Sequence, residues 1–266
     1  MKTGRFPPPG RQADPAPFRR LNYGFAFEWV EAPGSLEALL AHLDSLRAAD
    51  PSHRYLCTLD DTAQCSYTSG HARSDERLEV DAPENMDWDA PAELAAWELA
   101  CLQHRVQQLA NPELVQTWSD VCGSLNAAPE DIDSLVSVNA DPDALLDEVV
   151  YIQRLPVPSD ELMIAGQPNG YFSCDWDTFQ NHAVIRHLAA QWNYRFFGMG
   201  AAWMGFVRQA PLSSDEARRL VDELRTLYGS GQGNEVLQHP AWQTLEQLLQ
   251  TQRTLLLGYT ENMADY

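Results

Sequence analysis

The sequence predicts an α+β protein, with a helix-rich N-terminal half and a C-terminal half built on an antiparallel or mixed sheet with appended helices. Three observations point there. Apolar residues recur at helical spacing through much of 35–147, β-rich runs gather after 148, and the two kinds of element come in groups instead of strict βα alternation. No repeat period is visible along the 266 residues, so a stacked-repeat architecture is not expected.

Residues 1–20 read as a basic, Pro-rich, extended arm, because "FPPPG" and the later Asp-Pro and Ala-Pro steps disfavour helix. "LNYGFAFEWV", residues 21–30, is aromatic and partly alternating, as a strand would be. Ser35 then caps a helix whose apolar face is Leu36, Leu39, Leu40, Leu43 and Leu46. "RYLCTL" at 54–59 reads as a strand and Asp60-Asp61 as a turn, while 62–91 is polar, acidic and irregular. A helix begins near residue 90 and ends at Asn111-Pro112. Another continues through "ELVQTWSDVC" to Gly123, and short ones follow at 130–137 and 142–147. The whole of 21–147 is therefore expected to be an acidic, mainly helical region.

Residues 148–266 form the expected α+β domain. Its strands are 148–155, 161–166, 170–174 and two more within "YRFFGMGAAWMGFVR". One helix covers 176–192, a second opens with the Ser213 to Glu216 capping box and closes at Gly229, and the last runs from Pro240 to about Leu257.

An apolar fraction of 44% and eight tryptophans supply enough material for a real core. The five cysteines show no C-x-x-C pair and read as reduced thiols, and the N-terminus has no apolar signal segment. The expected location is a reducing cytoplasm. The longest apolar stretch, "FFGMGAAWMGFV", would rise only about 18 Å as a helix against about 30 Å of hydrocarbon, so no membrane span is expected.

Charge is the strongest global signal. The chain carries 18 basic and 38 acidic residues, a net −20. Lys2, Arg5, Arg11, Arg19 and Arg20 all fall in the arm, with Asp14 its one acid; subtracting them leaves 13 basic and 37 acidic residues, a body at −24. Such a body repels nucleic acid and anionic membranes and attracts a basic protein. Two segments concentrate the charge. The first holds Asp75, Glu76, Glu79, Asp81, Glu84, Asp87 and Asp89 around a single arginine, with Trp88 as an aromatic anchor. The second holds Glu130, Asp131, Asp133, Asp141 and Asp143 in a stretch from 106 to 153 that has no basic residue. Both are expected to be partner-binding.

Motifs for small-molecule chemistry break down on inspection. His182 and His187 are five apart and diverge by about 140° on a helix, so they cannot share a metal ion. Glu98, Cys101 and His104 offer two ligands together at best. "NADPDALLDEVV" has Ala144 and Val150 where a calcium loop needs glycine and glutamate. "GMGAAWMG" lacks the dinucleotide glycine pattern, and its glycines suit a bulge or close backbone packing. No catalytic residue, metal or cofactor is expected.

"GYFSCDWDTFQNHAVIRHL", 170–188, most resembles chemistry, and the alternative reading is an enzyme of hydrolase type with its site around residues 171–205, for which Cys174, Asp177 and His182 are the residues to test. It reads instead as a strand-to-helix junction capped by Asp175, with Asn181 buried and His187 in water. In charge and size alone the chain resembles acidic bacterial immunity and nucleic-acid-mimic proteins. That resemblance implies an inhibitor that neutralises a basic toxin or nuclease; a regulatory or scaffold subunit is the further alternative.

Overall fold

In a computed structural model, residues 1–7, 17–21, 23–229 and 234–265 are described. Residues 8–16 of the expected arm lie outside them. Among the described residues seven strands form one mixed sheet in the order β1-β2-β4-β3-β5-β6-β7. They are β1 (Lys2–Arg5), β2 (Ala26–Glu31), β3 (Arg54–Thr58), β4 (Val149–Leu155), β5 (Arg195–Met199), β6 (Trp203–Val207) and β7 (Thr254–Gly258). Every pairing is antiparallel except β3 with β5, where Cys57 faces Gly198 and Thr58 faces Met199. Helices are α1 (Leu36–Ala49), α2 (Thr62–Ala72), α3 (Pro91–Leu109), α4 (Trp118–Val121), α5 (Pro129–Ala140), α6 (Thr178–Trp192), α7 (Ser214–Tyr228), α8 (Asn234–Leu237) and α9 (Ala241–Leu249).

The α+β class holds, and the sheet is wider than expected. Strands β1, β2 and β3 come from the N-terminal half; β2 pairs with β4, and β3 with β4 and β5, across the 147/148 boundary, so one sheet unites the two halves. The start of the arm is likewise a strand, with Lys2 opposite Glu31 on β2.

Local signals explain most of the elements. Ser35 accepts from the Ala38 N–H and starts α1, whose Leu36, Leu39, Leu40 and Leu43 are buried. The Ser213 to Glu216 capping box opens α7. The glycines of the β5–β6 hairpin are packing glycines: a Cβ at Gly205 would lie 2.6 Å from the Phe197 ring, and one at Gly200 would lie 1.6 Å from Asp60 Oδ1.

Four expectations need correction. Residues 62–72 form α2, whose buried face is Cys65 with Thr62, Ser66, Thr68 and Ser69, so no leucine stripe advertises it. The run 161–166 falls on a 3-10 helix, Asp160–Ala165, capped by Gly166, and 170–174 is turn instead of strand. The helix expected up to Gly123 shrinks to the single capped turn α4. The last helix stops at Leu249, and "TLLLG" becomes β7, pairing Trp203 with Gly258 through Val207 with Thr254. A short run buried on both sides has no period to separate strand from helix. The outer edge of β7 is covered by Asn139 of α5, whose amide donates to the Leu256 carbonyl at 2.8 Å and whose oxygen accepts the Leu256 N–H at 2.9 Å. That side chain replaces a neighbouring strand.

Candidate protein-binding surface

The stretch 170–188 looked like chemistry in the sequence; its first part lies in a loop, 166–177, pinned to α2 and to the ends of β5 and β7. Gln167 Nε2 donates to the Met199 carbonyl at 3.0 Å and lies 2.9 Å from Cys65 Sγ. Asn169 Nδ2 donates to the Gly200 carbonyl at 3.3 Å, and its own carbonyl accepts from Thr178 Oγ1 and Asn181 Nδ2. Gly170 has φ +95, and a Cβ there would fall 1.8 Å from the Trp176 carbonyl oxygen, so the turn requires glycine. Trp176 N–H donates to the Tyr259 carbonyl.

With 167, 169 and 176 held inward, the loop turns Tyr171 and Phe172 outward, 47% and 43% exposed. They continue a row of rings. Tyr67 of α2, 52% exposed, packs edge-on to His71 at 4.4 Å, His71 stacks on Tyr171 at 4.6 Å, and Tyr171 meets Phe172 at 5.3 Å. Tyr67 and His71 are i and i+4 on one helical face, a spacing that the sequence carried but that an unrecognised helix concealed.

The first acidic segment begins where α2 ends. Glu76, Glu79, Asp81, Glu84, Asp87 and Asp89 are exposed, and Trp88 is 57% exposed with its ring 5.4 Å from that of Trp97 on α3. Arg77, the one basic residue among them, donates to Asp75 at 2.6 Å, pairs with Asp177 at 3.0 Å and lies over the Phe179 ring. That bond holds Asp75 below its ordinary pKa. Asp75 is thus spent on Arg77, and the rest of the segment keeps its negative charge unanswered. The Arg77 to Asp177 pair also ties the segment to the loop that presents Tyr171 and Phe172.

The second acidic group divides. Asp131, expected at an interface, is 2% exposed: it accepts the Ala128 N–H at 2.8 Å to open α5 and the Ala264 N–H at 3.1 Å. A buried carboxylate holding two amides does not meet a partner. Asp143 accepts the Leu36 N–H at the start of α1, and Asp133 stands 3.8 Å from His239 Nδ1. Glu130 and Asp141 are exposed. Helix α5 packs on α9 and β7, whereas segment 75–89 lies between α2 and α3.

The alternative enzymatic set does not assemble. Asp177, not Asp175, caps α6, accepting from Phe179 and Gln180. Cys174 is exposed, its thiol pushed up by partial burial and by Asp175 and Glu261, which makes it a slow nucleophile. His182 is buried, pushed down to about 4 by desolvation and by Arg186, and its Nε2 has no partner. Asn181 is buried as expected and ties α6 to the loop through Trp176 and Asn169. His187 is not in water: it stacks on Trp118 at 4.0 Å and meets Glu223 at 2.7 Å.

Beneath the acidic segment lies a cavity of about 210 Å³ that the sequence did not signal, walled by Phe25, Leu78, Trp97, Glu98, Arg73 and Arg105 among others. No helix among the described residues is long and apolar enough to cross a membrane. The fold and surface define an α+β protein with an acidic, aromatic face. Comparison of the chain with protein-family models, curated proteins and solved structures finds no match.

Proposed function

We propose that this protein is an acidic binding protein that captures and neutralises a basic protein, in the manner of an inhibitor or immunity protein for a toxin or nuclease, acting in the cytoplasm. One observation carries the reading: a row of exposed rings, Tyr67, His71, Tyr171 and Phe172, adjoins an acidic segment whose one arginine is already paired. Arginine and lysine side chains of a partner can stack on such rings while their charges meet Glu76, Glu79, Asp81, Glu84, Asp87 and Asp89. Trp88 supplies a large, rigid contact of the kind that dominates interface energy. Glu130, Asp133 and Asp141 extend the acidic field and serve association rate more than contact.

Loop 166–177 supports this reading over the hydrolase alternative, because its inward side chains are engaged in holding the loop. The test is affinity capture from the native cell with wild type and with a Tyr171→Ser, Phe172→Ser double variant in parallel. The proposal expects one basic polypeptide retained by wild type, lost from the variant and released by salt. Equal retention by both would remove the aromatic row from the function.

A further inference from the structure

Positive charge gathers at the opposite end of β5 from loop 166–177. A cavity of about 370 Å³ opens there, beside the end of α1 and the ends of β5, β6 and β7. We propose that it binds a small phosphate monoester, with the phosphoryl group on Arg195 and Arg208 and the polar body against Asn193 and Gln209. This site is independent of the protein-binding reading and takes a different class of ligand.

The sheet brings the arginines together. Arg195 opens β5 opposite Val207 of β6, and one residue further on the Arg208 N–H donates to the Arg253 carbonyl at 2.9 Å, just before β7. Arg47, in the last turn of α1, lines the same cavity. Three of the four have a carboxylate. Arg195 donates to Asp44 at 2.7 Å, Arg253 to Glu37 at 2.8 Å and Arg47 to Asp160 at 2.7 and 3.0 Å, an acid that Arg54 also approaches at 3.5 Å. Arg208 makes no ion pair with the described residues, and its guanidinium lies 5.7 Å from the centre of the Tyr194 ring. The carboxylate it acts on, Glu216, is held by the Ser213 N–H and hydroxyl, both at 2.8 Å. Counting Glu216 in full, Arg47, Arg54, Arg195, Arg208 and Arg253 face Asp44, Asp160, Glu37 and Glu216, which leaves a positive charge unanswered.

Two donors also remain unused. Nη1 of Arg195 and Nη1 of Arg208 are buried and have no acceptor among the described residues. Burial and then the Arg47 charge lower the Arg195 pKa, yet a guanidinium stays protonated. Two such forks from neighbouring strand ends suit a tetrahedral group that carries about two charges and accepts from several directions. Among the described residues no aromatic ring lines the cavity, so nothing there stacks on a nucleobase. Its volume corresponds to roughly twelve waters at about 30 Å³ each, room for a phosphoryl group with a short polar body. The steps of β5 from Arg195 to Met199 span about 14 Å, beyond the Debye length of about 8 Å, so the acidic face is screened from this charge.

The experiment is calorimetric titration of the full chain with glycerol 3-phosphate, inorganic phosphate and acetate. Glycerol 3-phosphate is expected to saturate a single site in the millimolar range, inorganic phosphate to compete for it, and acetate to be inert. Arg208→Met should weaken glycerol 3-phosphate roughly tenfold to a hundredfold, the worth of hydrogen bonds to a charged group. Arg208→Lys, which keeps the charge and loses the fork, should bind more tightly than Arg208→Met and more weakly than wild type. If Arg208→Met does not fold, Arg253→Gln, which removes one charge from the rim, should weaken glycerol 3-phosphate several-fold. Failure of glycerol 3-phosphate to saturate in the millimolar range overturns the proposal. So does equal binding of acetate, binding of inorganic phosphate alone, or unchanged glycerol 3-phosphate affinity in the variants.

Discussion

Asp60 makes folding stability depend on pH near neutrality. Its carboxylate sits at the end of β3, where Oδ2 accepts the Ala202 N–H at 2.9 Å and Oδ1 is buried against Gly200 without a partner. Burial raises its pKa from 3.8 to about 7, the Ala202 N–H partly opposing the rise. The folded protein therefore keeps a proton that the unfolded chain releases between about pH 4 and 7. Stability from this group is complete below pH 4 and is lost as pH rises through 7. Three units at about 1.4 kcal/mol each give a span of about 4 kcal/mol, of which about 3 kcal/mol falls between pH 5 and 8. That window stays above the isoelectric point near 4.5. Asp60→Asn keeps the acceptor for Ala202 and cannot titrate. In urea unfolding across pH 5–8, the free energy of wild type minus that of Asp60→Asn should fall by about 3 kcal/mol. A flat difference, or one that rises with pH, would refute the assignment of a buried, proton-holding carboxylate.

His182 should behave oppositely, because its folded pKa of about 4 lies below the ordinary 6.5. The wild-type advantage over His182→Gln should grow by about 2 kcal/mol from pH 5 to 6.5 in the same assay, and a constant advantage would contradict its burial as a neutral ring. Gly170→Ala should cost about 2–3 kcal/mol from the positive φ, with more from the Trp176 carbonyl clash, as read by urea unfolding; a neutral result would mean the turn is not as drawn. Asn139→Ala leaves the Leu256 N–H and carbonyl unmet, costing about 2–5 kcal/mol, and hydrogen exchange at Leu256 should accelerate; unchanged protection would count against the edge cover. Trp88→Ala should leave stability within about 0.5 kcal/mol, as for an exposed side chain, while weakening partner binding by about 2 kcal/mol in calorimetry.

Much of the fold was legible because its signals are local. Ser35, Ser213 with Glu216, and the Leu36, Leu39, Leu40 and Leu43 stripe define their helices without tertiary context. The elements misread are those where context decides. Helix α2 buries cysteine, serine and threonine, so its period is hidden in a hydropathy reading. "TLLLG" is a strand because β6 offers an edge to pair with. "GYFSC" alternates like a strand, yet Gly170 and the amides of Gln167 and Asn169 make it a loop. The acidic segment and Trp88 were visible as composition. The ring row was not, since Tyr67 and His71 are about a hundred residues from Tyr171 and Phe172, and such adjacency exists only in the fold.

The claim that the acidic, aromatic face captures a basic partner is tested most directly by association kinetics with the captured protein across a salt series. The account predicts an association rate that falls steeply with salt, and a Tyr171→Ser, Phe172→Ser variant that dissociates faster while folding normally. A salt-insensitive association rate together with unchanged dissociation in that variant would contradict it.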